Sequence, residues 1–157
     1  MRLTIPPEEK EREFTAILTD YNGVLARDGL LLEGVAEGIR QLARTFSVHV
    51  ATADTFGTVA RQLEGLPVEL EIVPSHVPQD EAKLEILKRL GAERTIAIGN
   101  GRNDVLMLQN AGLGICVMGC EGASVRALVS AQVVVNSVRD AFGLLLNPRR
   151  LVATLRN

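Results

Sequence analysis

Asp20 closes the apolar run Phe14-Thr15-Ala16-Ile17-Leu18-Thr19 and opens the segment Asp20-Tyr21-Asn22-Gly23-Val24. A carboxylate is thereby set at the end of a buried strand, which is where parallel α/β sheets place their chemistry. About eighty positions after Asp20, the run Thr95-Ile96-Ala97-Ile98 ends in Gly99-Asn100-Gly101-Arg102-Asn103-Asp104. Two strand ends of this kind can converge on a site of phosphate or metal size. Carboxylate and carbonyl oxygens are the natural ligands of a hard divalent cation.

The elements that must position these residues are legible as apolar runs separated by segments of helical period. Strands are expected at 14 to 19, 47 to 52, 69 to 73, 95 to 99, 113 to 118 and 132 to 136. Their runs are nearly continuous, as in strands covered on both faces, which implies a parallel sheet. Helices are expected over 34 to 44, 55 to 63, 79 to 90, 103 to 110 and 124 to 130. In the first, Val35, Ile39 and Leu42 share a face. Asn103 or Asp104 can cap the fourth, Ser124 can cap the fifth, and Asp54 can cap the second. The last segment, 138 to 156, reads as helix, a break at Asn147-Pro148, and a short amphipathic helix. Asp28-Gly29 between Ala26 and Leu30-Leu31-Leu32 signals a small hairpin overhanging the carboxyl end of the sheet. The whole reads as one α/β domain over 1 to 157, a three-layer doubly wound parallel sheet.

Composition sets the outer bounds. A chain of 157 residues can bury roughly 70% of its extended surface and needs no disulfide to fold. Only 3% of residues are aromatic and the net charge is −2, which argues against a nucleic-acid or anionic-membrane partner. The two cysteines, Cys116 and Cys120, read as reduced thiols, because no histidine lies at a spacing that would complete a zinc site. His49 and His76 have no partners at ligand spacing along the chain and read as a strand residue and a loop residue. No stretch approaches the roughly 20 apolar residues of a membrane span, and the start lacks a signal-peptide core, so a cytoplasmic location is expected.

A strand ending in Asp20-Tyr21-Asn22-Gly23-Val24, a later strand ending in Thr52, the downstream Lys83, and Gly99-Asn100-Gly101-Arg102-Asn103-Asp104 together resemble the haloacid dehalogenase-like phosphohydrolases. The resemblance spans 14 to 137. Its Gly-x-Gly-x-Asn-Asp segment is most similar to the phosphorylation domain of P-type ATPases, and the chain resembles the small soluble relatives of that domain. The resemblance implies a Rossmann-like core, a Mg²⁺ cofactor and a small phosphorylated molecule or phosphate as ligand. It makes Asp20 the nucleophile, forming an aspartyl-phosphate. The metal would be held by Asp20, the backbone carbonyl of Asn22, Asn100 and Asp104. Thr52 and Ala53 would meet the phosphate with Asn103, and Lys83, or Lys88 in its place, would neutralise the transferring group. Gly23 and Gly101 would let backbone N–H groups approach it closely.

Two departures qualify the activity. Asn22 and Asn100 stand where active phosphatases of the family carry Asp. An amide at 22 cannot exchange a proton with leaving group or water, and positioned acid–base catalysis is worth about 10²- to 10⁴-fold. Slow turnover through phospho-Asp20 is therefore expected, the alternative being a non-catalytic phosphate-binding or regulatory module. Thirty-two positions separate Asp20 from Thr52 and thirty-one separate Thr52 from Lys83, leaving no room for an inserted cap domain. Without a lid of its own, the chain is expected to form a homo-oligomer in which a neighbour covers the site.

Overall fold

A computed structural model describes residues 1–7, 10–54 and 57–156. The strands are β1 (Arg2–Leu3), β2 (Arg12–Glu13), β3 (Ala16–Asp20), β4 (Ala26–Arg27), β5 (Leu30–Leu31), β6 (Ser47–Thr52), β7 (Glu69–Ile72), β8 (Thr95–Gly99), β9 (Leu113–Val117) and β10 (Val133–Val135). The helices are α1 (Val35–Leu42), α2 (Val59–Gln62), α3 (Gln79–Leu90), α4 (Val105–Asn110), α5 (Val125–Ser130), α6 (Val138–Leu146) and α7 (Pro148–Leu155).

Six strands form one parallel sheet in the order β10-β9-β8-β3-β6-β7. Every residue of β3, β8 and β9 is buried, which is why their sequences run apolar without alternating. Ile17, Val50, Ile96 and Ile98 pack with α1, α2, α6 and α7 on one face. Leu18, Ala51 and Ala97 pack with Leu87 of α3, Met107 and Leu108 of α4 and Ala127 of α5 on the other. From β3 the chain moves outward to β6 and β7, then crosses back to β8 and continues to β9 and β10. The direction reverses between β3 and β8, so their carboxyl ends flank the crevice where open α/β sheets bind ligands.

Local chemistry explains the ends of the elements. Ser124 Oγ accepts the Ala127 N–H and Ser137 Oγ accepts the Asp140 N–H, capping α5 and α6. Pro148 starts α7 at its first turn, where its missing donor costs nothing. Asp54 Oδ1 accepts the N–H groups of Thr58 and Val59 at 3.0 and 3.1 Å, so it caps α2. Residues 55 and 56 of the expected helix 55 to 63 lie outside the described residues.

One expectation needs correction. The helix expected from 103 begins at Val105 after a 3₁₀ turn over Arg102–Asp104, because the Asp104 carboxylate reaches back to the N–H groups of Asn100 and Gly101. Neither Asn103 nor Asp104 caps α4 with its side chain. At the amino terminus β1 pairs antiparallel with β2, and the terminal amine donates to Phe14 O.

The Asp28-Gly29 hairpin forms as expected. Asp28 and Gly29 have φ of 52° and 78°, the two left-handed positions of a tight turn joining β4 to β5. Tyr21, buried directly after Asp20, donates its hydroxyl to Gly29 O at 3.0 Å and pins the hairpin above β3.

Candidate active site

The site grows from the pleat of β3. Ala16, Leu18 and Asp20 share the face covered by α3, so the Asp20 carboxylate meets the third layer rather than the bulk of the core. Lys83, in the second turn of α3, is 1% exposed and donates to Asp20 Oδ1 at 2.6 Å and to Asp104 Oδ1 at 2.7 Å. Asp104 is fully buried, and its other oxygen accepts the N–H groups of Asn100 and Gly101 at 2.9 and 2.8 Å. Residues far apart in sequence thus form one buried trio at the crevice between β3 and β8.

Burial and the neighbouring Asp104 push Asp20 up to about 7, against the opposing pull of Lys83. Burial alone would lower Lys83, but Asp104 and Asp20 outweigh it and hold the ammonium charged. Breaking such a buried set by removing one partner leaves an uncompensated charge, whereas the intact set is electrostatically self-consistent. A divalent cation would add to it the positive charge that favours ionised Asp20.

Glycines make room for the cluster. A Cβ on Gly99 would lie 2.5 Å from Asp104 Cβ, so only glycine lets that carboxylate fold over the end of β8. Gly23 has φ +79°, and a Cβ there would meet Asn100 Nδ2 at 2.4 Å and Glu121 Oε2 at 3.0 Å. The Gly23 N–H donates to Ala26 O, and the Gly101 N–H to Asp104. These glycines admit side chains rather than presenting free donors.

The remaining expected residues fall as follows. Thr52 ends β6 one position beyond Ala51, the partner of Asp20, and its buried hydroxyl oxygen accepts the Asp54 N–H at 3.1 Å. Ala53 follows it, half-buried. Asn103 is exposed beside Gly101, where it lines an open groove with Gln79, Arg102 and Arg126. Lys88, the alternative to Lys83, is exposed and donates to Glu85 at 2.7 Å, away from the trio. Asn22 Oδ1 is buried and has no hydrogen-bond partner among the described residues. An orphaned acceptor of this kind, two residues after Asp20, fits a cation or a donor-rich ligand. Asp104 differs: its Oδ2 accepts two backbone N–H groups, while Oδ1 accepts from Lys83 and keeps a lone pair to spare.

One residue of the neighbourhood was not anticipated. The loop after β9 is drawn over the Asn22-Gly23 turn: Asn100 Nδ2 donates to Gly122 O at 3.0 Å, and Ser124 N donates to Asn100 O at 2.8 Å. That loop brings the Glu121 carboxylate beside Gly23 and Asn100. The available signal is the pattern Gly119-Cys120-Glu121-Gly122, a glycine-flanked carboxylate just past the end of an apolar strand on the same edge of the sheet.

A doubly wound parallel sheet with a polar cluster at its switch point defines the Rossmann-like class of α/β proteins. Within that class, the sequence matches haloacid dehalogenase-like hydrolase over residues 2–112, and the chain belongs to this family. It is 52% identical over 80 residues to an uncharacterized protein of Methanocaldococcus jannaschii, spanning 48% of this chain and 86% of that one. Over 111 residues, 66% of the chain, it is 30% identical to the probable phospholipid-transporting ATPase 12 of Arabidopsis thaliana, of which it spans only 9%. The fold is similar to that of 3-deoxy-D-manno-octulosonate 8-phosphate phosphatase of Moraxella catarrhalis, solved with magnesium ion, phosphate ion and a KDO molecule. The TM-score is 0.70 at 17% identity, covering 91% of this chain and 94% of that one.

Proposed function

We propose that this chain is a slow, magnesium-dependent phosphohydrolase acting through Asp20. The observation that carries the reading is the buried Asp20–Lys83–Asp104 trio at the switch point of the sheet. Lys83 holds Asp20 Oδ1, which fixes the carboxylate and leaves Oδ2 for attack. That oxygen forms a bond to phosphorus as the bond from phosphorus to the leaving oxygen breaks, and Lys83 neutralises the charge on the transferring group. Asn22 has no proton to give, so the leaving oxygen takes its proton from water. A second water then attacks phosphorus, releasing phosphate and restoring Asp20. Missing acid–base help at position 22 makes both steps slow.

Asp20, the Asn22 backbone carbonyl, Asn100 and Asp104 would hold Mg²⁺. When bound, the ion supplies charge stabilisation for the phosphoryl group. The carboxylate absent from position 100 is replaced, in this reading, by Glu121. Thr52, Ala53 and Asn103 line the approach for the phosphorylated small molecule. Among the described residues no cap covers the mouth, and the hairpin exposes Leu30. A second copy of the chain is proposed to cover it. The structural relative solved with magnesium and phosphate supports the cofactor and ligand class by analogy.

The test is phosphoryl labelling. Acetyl phosphate with Mg²⁺ should label the wild type and leave Asp20→Asn unlabelled, and beryllium fluoride with Mg²⁺ should raise the melting temperature of the wild type. Absence of both effects would overturn the enzymatic reading. A thermal shift without label or turnover would favour the second reading, a phosphate-binding module, which the amide at position 22 also supports.

A further inference from the structure

We infer that His49, Glu69 and Glu71 form a second cation site, separate from Asp20, that takes a borderline transition ion of the zinc class. His49 is the third residue of β6, and it pairs in register with Glu69 of the edge strand β7, while Ala51 pairs with Glu71. Partners in a parallel register share a face, and residues two apart on one strand share it again. All three side chains therefore project on the α3 side of the sheet. Along the chain His49 has no ligand partner; across the sheet it faces two carboxylates.

The distances are those of a site, not of a hydrogen-bonded pair. His49 Nδ1 lies 3.6 Å from Glu69 Oε2 and 3.5 Å from Glu71 Oε1, too long for N–H···O hydrogen bonds. Four ligands at zinc bond lengths in a tetrahedron stand about 3.3 Å apart, close to these separations. The three ligand atoms all lie within 4.8 Å of one another. The His49 side chain is only 4% exposed, and its Nδ1 has no hydrogen-bond partner among the described residues. Edge strands often carry charges that discourage pairing with other chains, but that role needs no buried imidazole aimed at two carboxylates.

Donor chemistry selects the ion. Imidazole with carboxylates suits zinc, cobalt or nickel, whereas magnesium and calcium prefer oxygen alone. The charges also call for a cation, because among the described residues the one counter-charge on these acids is Arg89, whose guanidinium lies 2.7 Å from Glu71 Oε1. Arg89 sits in the last turn of α3 with its side chain 57% exposed, so it can leave Glu71 without disturbing the core. It is thus a built-in competitor for the ion. Occupancy would clip β7, held by a single neighbouring strand, to the strand that ends three residues later in Thr52.

The experiment is a calorimetric titration of the chain with zinc in excess magnesium, which fills oxygen-only sites, with cobalt spectroscopy as a second readout. The wild type should bind one equivalent. Glu69→Gln, at a position too exposed to unfold the chain, and His49→Ala should each weaken that binding about tenfold or more. Asp20→Asn should retain it and Arg89→Ala should tighten it. If the wild type binds no zinc, or if Glu69→Gln binds as tightly as wild type because the ion sits at Cys120 or His76, the site is overturned. Loss in Asp20→Asn alone would overturn it as well, by placing the ion in the phosphoryl site.

Discussion

The Asp20–Lys83–Asp104 trio and the His49–Glu69–Glu71 cluster occupy the same face of one sheet, and each sets two carboxylates around one nitrogen group. They differ in where the neutralising charge comes from. In the trio the cation belongs to a buried helix residue, locked by hydrogen bonds of 2.6 and 2.7 Å to both acids. In the cluster the buried nitrogen is an imidazole with no bond to either acid, and the nearby cation is an exposed arginine on one of them. A buried pair held by an internal cation is part of the fold. A cluster served by a removable one keeps its capacity for a metal.

The largest effect expected from breaking this contrast falls on the trio. Asp20→Asn should remove phosphoryl labelling and lower turnover to background, about 10⁴-fold or more, while leaving zinc binding at the cluster intact. Phosphoenzyme measured beside zinc stoichiometry checks both arms. Next comes Lys83→Met, which leaves two buried carboxylates facing each other. Without metal it should cost about 3–5 kcal/mol of stability, read by urea denaturation, and Mg²⁺ should recover part of the loss. By contrast, Arg89→Ala, which removes an exposed ion pair, should cost no more than about 1 kcal/mol. Equal losses in the two variants would erase the distinction between the sites.

Asn22→Asp sharpens the functional side. The position lies two residues beyond β3, where its Oδ1 is buried and has no partner among the described residues, so a carboxyl group there can reach both leaving oxygen and water. Hydrolysis of an aryl phosphate should rise about 10²- to 10⁴-fold. Asn100→Asp should not behave in the same way. Its amide donates to Gly122 O, and a carboxylate in its place would repel that carbonyl and release the Glu121 loop. A stability loss of about 1–3 kcal/mol is expected, without a comparable gain in rate.

The sequence exposed the parts of this arrangement that depend on chain-local patterning. Apolar runs located the strands of the main sheet, most plainly β3, β8 and β9, which are buried throughout, and the Asp28-Gly29 turn located the hairpin, because burial on both faces and a left-handed turn each demand particular residue types. The juxtaposition of Asp20, Lys83 and Asp104 was reachable through motif order. What stayed hidden depends on neighbours across the sheet. The pairing of His49 with Glu69 and Glu71 follows from the β6–β7 register, which no local spacing encodes. Likewise, the closure of the Glu121 loop over Gly23 rests on the hydrogen bond from Asn100 to Gly122, a contact between residues 22 positions apart. Asp104 misled for the opposite reason, since a residue of capping type at a helix start spends its oxygens on the preceding loop and on Lys83.

Glu121→Gln is the smallest of these perturbations and bears on how the two sites divide their ions. Lys83 already offsets one of the two acids in the trio, so a divalent ion entering there gains less net attraction than Asp20 and Asp104 alone would provide. Glu121, exposed and without an ion-pair partner among the described residues, supplies the missing charge beside Asn100. Its amide variant should weaken Mg²⁺ binding about tenfold, measured by the concentration of Mg²⁺ needed for half-maximal phosphoryl labelling. Zinc affinity at His49 should stay as in the wild type, because Glu121 follows β9 while β7 lies at the opposite edge of the sheet. Should Glu121→Gln leave the magnesium requirement unchanged, Asn100 would be an adequate ligand by itself, and the trio would need no outside carboxylate to hold its ion.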